Sequence, residues 1–508
     1  MLKGAQSSLL FWVVLVTIAA MIIPMLTAGV IEDWRVARTF MYYALFSLIL
    51  LFLYALAVGS NQVGKTGGAA LLEATSVYVI VPIVAAAPVV ELYPGLGWRI
   101  VIFDMISAFT TTGASRLADI GPVSEVVQLW RAMLAWLGGY YFLLIAYSVL
   151  GPLRINGCDT VEDGYYVMTE TYHSATYDAS WRTIIRRFNK RALPAYFIFT
   201  LILFIALTIT GLRPVEAVIT AMSTLSTSGI ILAGTELTLM AELVIFAFLC
   251  FALSRFFMTS DGMRRWRYSV SNNPEVQVGF GIVLLIGVFL TAQAVTRSSG
   301  GEAALPLSEI LLGFWGAVFS AMSFLTTHGI VSQFLERLIQ GDGNTVILIF
   351  MALAVCGGGV ATTAGGVKLL RIFTLTQHGM RELNRLSLPH SVNAAQGVRA
   401  IRRRVVINSW VVVMLFGFSI MVFTLIFTLL GNQFETSLLL AVAGLSTTGP
   451  LLSSSINGVD IIQELSTLEL TILEVAMIVG RLETLAVLAL FNPILWQNRI
   501  RQEKRRMV

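Results

Sequence analysis

Four short stretches of this chain have the residue types that could hold a dehydrated cation. Each stretch consists of an apolar residue, a hydroxyl residue, a threonine, a mostly small polar residue and a glycine, in that order. The stretches are residues 109–113, 225–229, 325–329 and 445–449. Glycine allows unusual backbone dihedrals, so successive carbonyl groups can point the same way. Four such stretches around one axis would form a ring of carbonyl oxygens that replaces the water shell of a cation. We call them filter stretches 1 to 4.

The elements that precede the filter stretches are short apolar runs. They have about a dozen to twenty residues and are mostly too short to span a bilayer, which needs roughly 20. We interpret them as re-entrant helices whose C-terminal ends point at the filter stretches, because the partial negative charge at such an end favours a cation. Extended backbone at membrane depth is tolerated only where it is buried or lines a water-filled path. The pattern therefore predicts four pore loops.

The composition is that of a polytopic membrane protein. The 508 residues are 56% hydrophobic and 12% charged, whereas a soluble domain carries roughly twice that charged fraction. The three widely spaced cysteines predict neither a disulfide framework nor a metal site. We attribute the net charge of +5 to loop topology rather than to nucleic-acid binding. The first apolar run has no clear signal-peptidase site and is long enough to span the membrane.

The predicted fold is an all-α polytopic membrane protein. Four repeats of membrane helix, pore loop and membrane helix adopt a pseudo-fourfold arrangement and follow two extra transmembrane helices, which gives about ten crossings. The predicted segments are 1–66 for the leading helices, 67–152 for repeat 1, 153–272 for a cytosolic loop and repeat 2, 273–385 for repeat 3 with an intramembrane glycine loop, and 386–508 for repeat 4 with a basic cytosolic tail.

Lysine and arginine in the connecting segments predict the orientation. The segments between repeats and the C-terminal tail are basic, whereas the loops beside the filter stretches carry more acidic residues. Because each repeat crosses twice, the basic segments and both termini fall on one side, which the charge bias predicts to be cytoplasmic. The basic residues suit contact with anionic lipid headgroups, and the same residues could also form a docking surface for a cytosolic partner.

The last span of repeat 3 contains an unusual glycine-rich stretch at residues 357–368. Gly357, Gly358, Gly359, Thr362, Thr363, Gly365 and Gly366 precede Lys368. This composition does not favour a continuous helix. We interpret the stretch, called the glycine loop below, as an unwound intramembrane loop that could cross the pore beneath the filter stretches. The alternative is a helix kink packed against a neighbour, because glycine is common in transmembrane helices.

An arginine lies within the last predicted span of repeat 4. Ionisable groups at membrane depth are costly and usually face a partner or a watery cavity. Arg481 could form a cationic barrier below the filter stretches, or it could pair with Glu474 or Glu483.

These features resemble the TrkH/KtrB/HKT superfamily of potassium transporters, and most closely its bacterial TrkH branch. The likeness is carried by the four filter stretches, the glycine loop, the sequence Gly-Arg-Leu-Glu at 480–483 and Trp-Leu-Gly-Gly at 136–139. The two leading spans also fit that branch. The resemblance covers nearly the whole chain.

The resemblance implies potassium uptake across the bacterial inner membrane by a homodimer in the lipid bilayer, each chain with its own pore. It implies that K⁺, the transported ion, binds the filter carbonyls, with the glycine loop and Arg481 as the gate. It further implies a cytosolic TrkA-like regulator ring, and any nucleotide would be on that partner, because this chain has no phosphate-binding fingerprint. The implied filter residues are Thr111, Thr112, Gly113, Thr227, Ser228, Gly229, Thr327, His328, Gly329, Thr447, Thr448 and Gly449.

Three features depart from the pattern of this superfamily. Tyr140 and Tyr141 follow the paired glycines, Pro450 follows the fourth filter glycine, and His328 stands where a small hydroxyl residue is usual. A neutral imidazole could pack behind the filter, whereas a protonated one would repel cations. The alternatives are a less selective potassium/sodium transporter or a non-conducting paralogue.

Other classes of membrane protein fit less well. A secondary transporter with broken helices repeats in halves rather than in four short pore loops. An enzyme would need a converging set of catalytic residues, and the sequence contains neither His-Glu-x-x-His nor Gly-x-Ser-x-Gly. We therefore expect that the chain is not an enzyme and that it carries no covalent cofactor.

Overall fold

A computed structural model of the chain has a helical architecture built around the filter stretches. In the part of the chain that the structure describes, the regular elements are α-helices with short 3₁₀ and π turns, and none is a β-strand. The predicted all-α class is therefore confirmed. The described residues are 8–58, 67–117, 123–150, 181–232, 234–253, 274–298, 306–338, 343–360, 362–387, 403–453 and 461–482.

Two leading spans precede the repeats. Helices α1 (Leu9–Ala20) and α2 (Ile22–Val30) together form one apolar span, and α3 (Trp34–Val58) forms the second. The outward residues of α3 are large and apolar, as expected of a helix that faces lipid rather than water.

Each repeat consists of a long first helix, a pore helix that ends at the filter stretch, and a closing helix. Repeat 1 comprises α4 (Gly67–Leu92), α5 (Gly97–Phe109) and α6 (Glu125–Ile145), and repeat 2 comprises α7 (Trp181–Ile209), α8 (Pro214–Ser226) and α9 (Leu239–Leu253). Repeat 3 comprises α10 (Pro274–Ser298), α11 (Leu307–Leu325), the short α12 (Gln333–Leu338) and α13 (Gly343–Cys356). Helix α14 (Leu369–Ser387) leads to repeat 4, which comprises α15 (Arg403–Leu429), α16 (Phe434–Ser446), α17 (Ile461–Glu464) and α18 (Thr467–Arg481).

The helix contacts close the four repeats into a ring. Every first helix packs against the pore helix of its own repeat. Every closing helix also packs against the pore helix of the next repeat: α6 against α8, α9 against α11, α13 against α16, and α18 against α5. The last of these contacts joins repeat 4 to repeat 1, so the pseudo-fourfold arrangement predicted from the sequence is confirmed.

Three of the four pore helices, α8, α11 and α16, begin where the sequence places a proline or a carboxylate. Helix α8 starts at Pro214, whose missing N–H group is not needed in a first turn. Glu216 lies in the same turn, and its carboxylate accepts hydrogen bonds from the backbone and guanidinium of Arg213. This contact raises the pKa of the Arg213 side chain.

One pore helix is longer than the other three, within the predicted range of about a dozen to twenty residues. Helices α5, α8 and α16 have 13 residues each, but α11 has 19. Because its first turns are apolar and exposed, as at Leu307 and Leu311, α11 reaches the length of a candidate span although it ends at a filter stretch like the others. Within the described residues eight helical segments are long and apolar enough to cross a membrane, and α11 is one of them.

The other seven candidate spans coincide with predicted crossings. The predicted crossings at α9, α13 and α18 have 14 or 15 described residues each, and the total of ten crossings stays a prediction.

Candidate functional site: the ring of filter stretches

The central threonine of every filter stretch has a left-handed backbone. The φ angles of Thr111, Thr227, Thr327 and Thr447 are 58°, 55°, 58° and 54°. A positive φ at a β-branched residue is a genuine outlier, and such a conformation costs about 1–3 kcal/mol and persists only where the surroundings enforce it. The sequence pattern indicates these threonines but not their left-handed conformation, for which glycine is the usual residue.

Hydrogen bonds at the end of each pore helix enforce this conformation. In filter stretch 1 the N–H of Thr111 donates to the carbonyl of Ala108 at 2.9 Å, and the N–H of Thr112 donates to Ser107 at 2.8 Å. These bonds define a Schellman motif, in which the left-handed residue follows the last helical carbonyls. The same pair of bonds ends α8, α11 and α16. Each threonine thus turns the chain sharply from the pore helix into the filter stretch.

The filter stretches contact one another in chain order. A Cβ atom added at Gly113 would overlap the carbonyl oxygen of Ser228, and one added at Gly229 would overlap that of His328. At the seam between repeats 4 and 1, the N–H of Gly449 donates to the carbonyl oxygen of Thr112 at 2.7 Å. The stretches therefore form a closed ring in which glycines permit the close approach of neighbouring carbonyl groups.

The fourth filter stretch interrupts this regularity. Gly113, Gly229 and Gly329 have φ angles of 81°, 67° and 84°, whereas Gly449 begins a 3₁₀ turn that runs to Leu452. Pro450 lies in this turn, and its ring occupies the space beside Gly229 and Gly329. The proline that departs from the superfamily pattern thus lies against filter stretches 2 and 3.

The side chain of His328 forms a hydrogen bond to a neighbouring filter stretch, whereas the equivalent hydroxyl groups in the other three stretches form hydrogen bonds within their own stretch. At the equivalent position in the other stretches, a hydroxyl group bonds to the hydroxyl two residues earlier, as between Thr110 and Thr112 at 2.9 Å. The His328 imidazole is buried, and its Nδ1 accepts the N–H of Gly229 at 3.2 Å. The side chain therefore links stretches 3 and 2, and a ring nitrogen that accepts this bond carries no proton.

Two filter threonines have hydroxyl oxygens without a protein partner among the described residues. These atoms are Oγ1 of Thr111 and Oγ1 of Thr447, and both are buried. A buried hydroxyl normally forms a hydrogen bond. Their oxygens are hard ligands of the kind that alkali cations accept, and they lie in the same ring as the carbonyl groups.

The glycine loop is not helical at its described residues, and it lies against three filter stretches. The Thr363 hydroxyl donates to the carbonyl of Leu225 at 3.1 Å, and the N–H of Gly365 donates to Oγ1 of Thr327 at 2.8 Å. A Cβ atom added at Gly365 would overlap the carbonyl oxygen of Ser446. The loop therefore contacts the ends of the pore helices of repeats 2, 3 and 4 at once.

Arg481 holds the glycine loop rather than a nearby carboxylate. Its Nη1 donates to the carbonyl oxygen of Thr363 at 2.6 Å, and its guanidinium carbon lies 4.2 Å from the centre of the Phe142 ring. The predicted pairing with Glu474 is wrong: Glu474 lies about two helical turns away and forms an ion pair with Arg99 of α5 at 2.8 Å. The other proposed partner, Glu483, lies outside the described residues.

Phe142 of α6 is a site residue that the sequence analysis missed. Its ring lies near two cations, Arg481 and Lys368, whose Nζ atom is 5.6 Å from the ring centre. The Lys368 ammonium also donates to the carbonyl of Ala364. Aromatic residues are common in membrane helices, so no local pattern distinguishes Phe142.

The glycines outside the filter bring the closing helices against the filter stretches. A Cβ atom at Gly138 of α6 would overlap the carbonyl oxygen of Phe109, and one at Gly480 of α18 would overlap that of Leu445. Because Phe109 and Leu445 are the first residues of filter stretches 1 and 4, these two glycines have equivalent places in repeats 1 and 4.

Comparison with known proteins agrees with this geometry. The family TrkH, described as cation transport protein, matches residues 313–502. The Trk system potassium uptake protein TrkI of Halomonas elongata is 28% identical over 435 residues, which cover 83% of this chain and 82% of that protein. TrkH of Salmonella typhimurium is 24% identical over 415 residues, or 80% of each chain.

A solved structure has the same fold. The crystal structure of the potassium transporter TrkH from Vibrio parahaemolyticus superposes with a TM-score of 0.75 at 19% identity, and the match covers 98% of this chain and 100% of that one. The relatives are transport proteins, so the prediction that this chain is not an enzyme is confirmed. The ring of four pore loops and these matches confirm that this multi-pass membrane protein resembles the TrkH/KtrB/HKT superfamily, and most closely its bacterial TrkH branch.

Proposed function

We propose that this chain moves potassium across the membrane through the ring of filter stretches. Its relatives are named as potassium uptake proteins. The observation that carries the proposal is the repeated left-handed threonine in four stretches that contact one another in a closed ring. A strained backbone repeated at four equivalent positions supports a role that needs fixed carbonyl groups.

The geometry suits a cation that loses its water. Carbonyl oxygens of the filter stretches replace the hydration shell, and the four pore helices direct the negative ends of their dipoles at the ring. The Schellman bonds hold the backbone before an ion arrives, so binding does not have to order it. The transported ions would also be coordinated by the hydroxyl oxygens of Thr111 and Thr447, which have no hydrogen-bond partner among the described residues.

The glycine loop and Arg481 form the gate in this proposal. The loop lies under three filter stretches and is held by the hydrogen bond from Arg481 to Thr363. Displacement of the loop would break its hydrogen bonds to Leu225, Thr327 and Arg481. The buried positive charges of Arg481 and Lys368 oppose a passing cation while the loop stays in place.

The remaining parts of the proposal concern the assembly. The chain acts as a homodimer in the bacterial inner membrane, with both termini in the cytoplasm, and a TrkA-like ring binds its basic cytoplasmic side. The basic residues of α7, among them Arg186, Lys190 and Arg191, support this orientation. Nucleotide would act through that partner.

The test is the reversal potential of the purified protein in vesicles, with potassium on one side and sodium on the other. A shift towards the potassium potential is expected. A potential near zero with clear current would favour the less selective transporter, with the departures at His328 and Pro450 as the cause. Absence of current with and without a cytosolic partner would refute the proposal and favour a non-conducting paralogue.

A further inference from the structure

A buried carboxylate lies behind the outer end of filter stretch 1. Asp104 of α5 is fully buried. It accepts hydrogen bonds from the Ser115 hydroxyl at 3.0 Å, from the N–H of Arg116 at 2.9 Å and from the N–H of Leu117 at 3.3 Å. These three residues follow Gly113 almost directly, so one side chain fixes the path by which the chain leaves the filter stretch.

A buried arginine neutralises this carboxylate. Nε of Arg131, on α6, is 3.6 Å from Oδ2 of Asp104. The Arg131 side chain is almost fully buried, and its Nη1 donates to Gln128 at 2.8 Å. Its Nε and Nη2 atoms form no hydrogen bond with a described residue. A buried charge without an opposite charge is strongly unfavourable, so Asp104 and Arg131 depend on each other.

Arg116 anchors the same exit on its other side. Its guanidinium donates to the carbonyl oxygens of Leu465 at 3.0 Å and Gln463 at 2.8 Å. Those carbonyls precede α18, the closing helix of repeat 4. The exit of filter stretch 1 is therefore held between α5 and repeat 4, next to the seam that closes the ring.

The equivalent position differs among the repeats. Asp104, Thr220, Ser320 and Leu440 each stand nine residues before their filter glycine. In repeat 3 the Ser320 hydroxyl accepts the N–H of Ser332 at 3.0 Å, which is the bond that Asp104 makes to Arg116. Leu440 cannot accept a hydrogen bond, and in repeat 4 the turn with Pro450 fixes the exit instead. Repeat 1 alone uses a carboxylate at this position.

We infer that Asp104, held by Arg131, is a positioning residue that fixes the outer exit of filter stretch 1 and thereby sets the selectivity among alkali cations. The inference rests on the proposed function. Three hydrogen bonds to one carboxylate leave the exit little freedom. Loss of two of them would let the Thr112 and Gly113 carbonyls move, and a filter that can shrink around a smaller ion discriminates less against sodium.

The test compares two neutralised ion pairs on the same pore helix. Asp104→Asn keeps one acceptor for Arg116 but removes the charge and the other acceptor. Arg99→Gln breaks the ion pair between Arg99 of α5 and Glu474 of α18. This pair lies away from the exit of filter stretch 1, so the variant serves as the matched control. In the bi-ionic assay Asp104→Asn should lower the potassium-to-sodium permeability ratio by at least roughly three- to tenfold, because one lost hydrogen bond corresponds to that factor and the hydrogen bonds from Ser115 and Leu117 are both lost. Arg99→Gln should leave the ratio unchanged.

Further variants keep the test decisive if Asp104→Asn does not fold. Asp104→Asn combined with Arg131→Gln leaves no unpaired buried charge, and Ser320→Ala removes the equivalent bond in repeat 3. Both should lower the ratio, because each removes hydrogen bonds that fix the exit of a filter stretch. The reversal potential reports this ratio even when only a fraction of the molecules is active. A selective wild type with an unchanged ratio in these variants would overturn the inference alone. A wild type without selective current would refute the proposed function instead.

Discussion

Replacement of Gly113 by serine tests whether the glycines set the spacing of the ring. A serine at this position is unfavourable for two reasons. The backbone φ angle is 81°, and the added Cβ atom overlaps the carbonyl oxygen of Ser228. The left-handed backbone costs about 1–2 kcal/mol for a residue with a Cβ atom. Relief of the overlap requires that the Ser228 carbonyl oxygen, 1.8 Å from the added Cβ atom, move by about 1.6 Å or more to reach ordinary van der Waals distance. That carbonyl belongs to the ring, so its displacement should change ion selectivity.

Two other glycines separate these effects. Gly211 has a φ of 100° but nothing within 4 Å of an added Cβ atom, and Gly417 of α15 has neither a positive φ nor a neighbour within 4 Å. Gly211→Ser should therefore lower stability through backbone strain without a change in selectivity, and Gly417→Ser should change neither by much. Only Gly113→Ser should alter the filter.

The assay is the bi-ionic reversal potential of the reconstituted variants. A loss of about 1.4 kcal/mol in discrimination is a tenfold change in the permeability ratio, which moves the potential by about 59 mV for a univalent ion. We expect a shift of about this size in Gly113→Ser and none in the two controls. A monodisperse Gly113→Ser protein with the wild-type ratio would refute the assignment of the ring as the selectivity filter.

Three further predictions concern the gate and His328. Deletion of residues 362–365 should raise the open probability in single-channel records, because the loop beneath the filter is lost; unaltered activity would remove the support for a gating loop. Phe142→Leu should raise the open probability about two- to thirtyfold, since a cation–π contact contributes about 0.5–2 kcal/mol, and equal open probabilities would show that the ring does not hold Arg481. Current should stay constant between about pH 5.5 and 8, around the ordinary titration range of histidine, because Nδ1 of His328 accepts the Gly229 N–H; a fall at low pH that His328→Thr abolishes would contradict this.

The sequence predicted the positions of the filter stretches and most helices because both depend on local composition. Hydroxyl residues that end in glycine mark the turns, and long apolar runs mark the spans. The glycine loop was also predictable, since its seven glycine and threonine residues, together with two alanines, do not favour a helix. The 19 residues of α11 lie within the predicted range, but composition alone does not distinguish this pore helix from a membrane span, because its exposed first turns are apolar.

The contacts between repeats were beyond prediction from sequence. For Arg481 the sequence offered a barrier role or a pair with a nearby carboxylate; the barrier role stays a prediction, and the carbonyl of Thr363 that Arg481 binds on another repeat was not indicated by the sequence. Glu474 is occupied by Arg99, from the opposite end of the repeat region. These two contacts join different repeats and depend on the arrangement of the whole chain. The pair of Asp104 and Arg131 lies within repeat 1, but no local pattern indicates how its two helices are placed relative to each other.

The seam between Gly449 and Thr112 also constrains how the protein is made. The two residues are separated by most of the repeat region, so the ring is an assembly of high contact order. A chain still on the ribosome has at most three filter stretches until repeat 4 emerges, and its first pore helix lacks the surface of α18. The ring of filter stretches therefore closes only after repeat 4 has been synthesised, and the last closing helix completes the surroundings of the first pore helix.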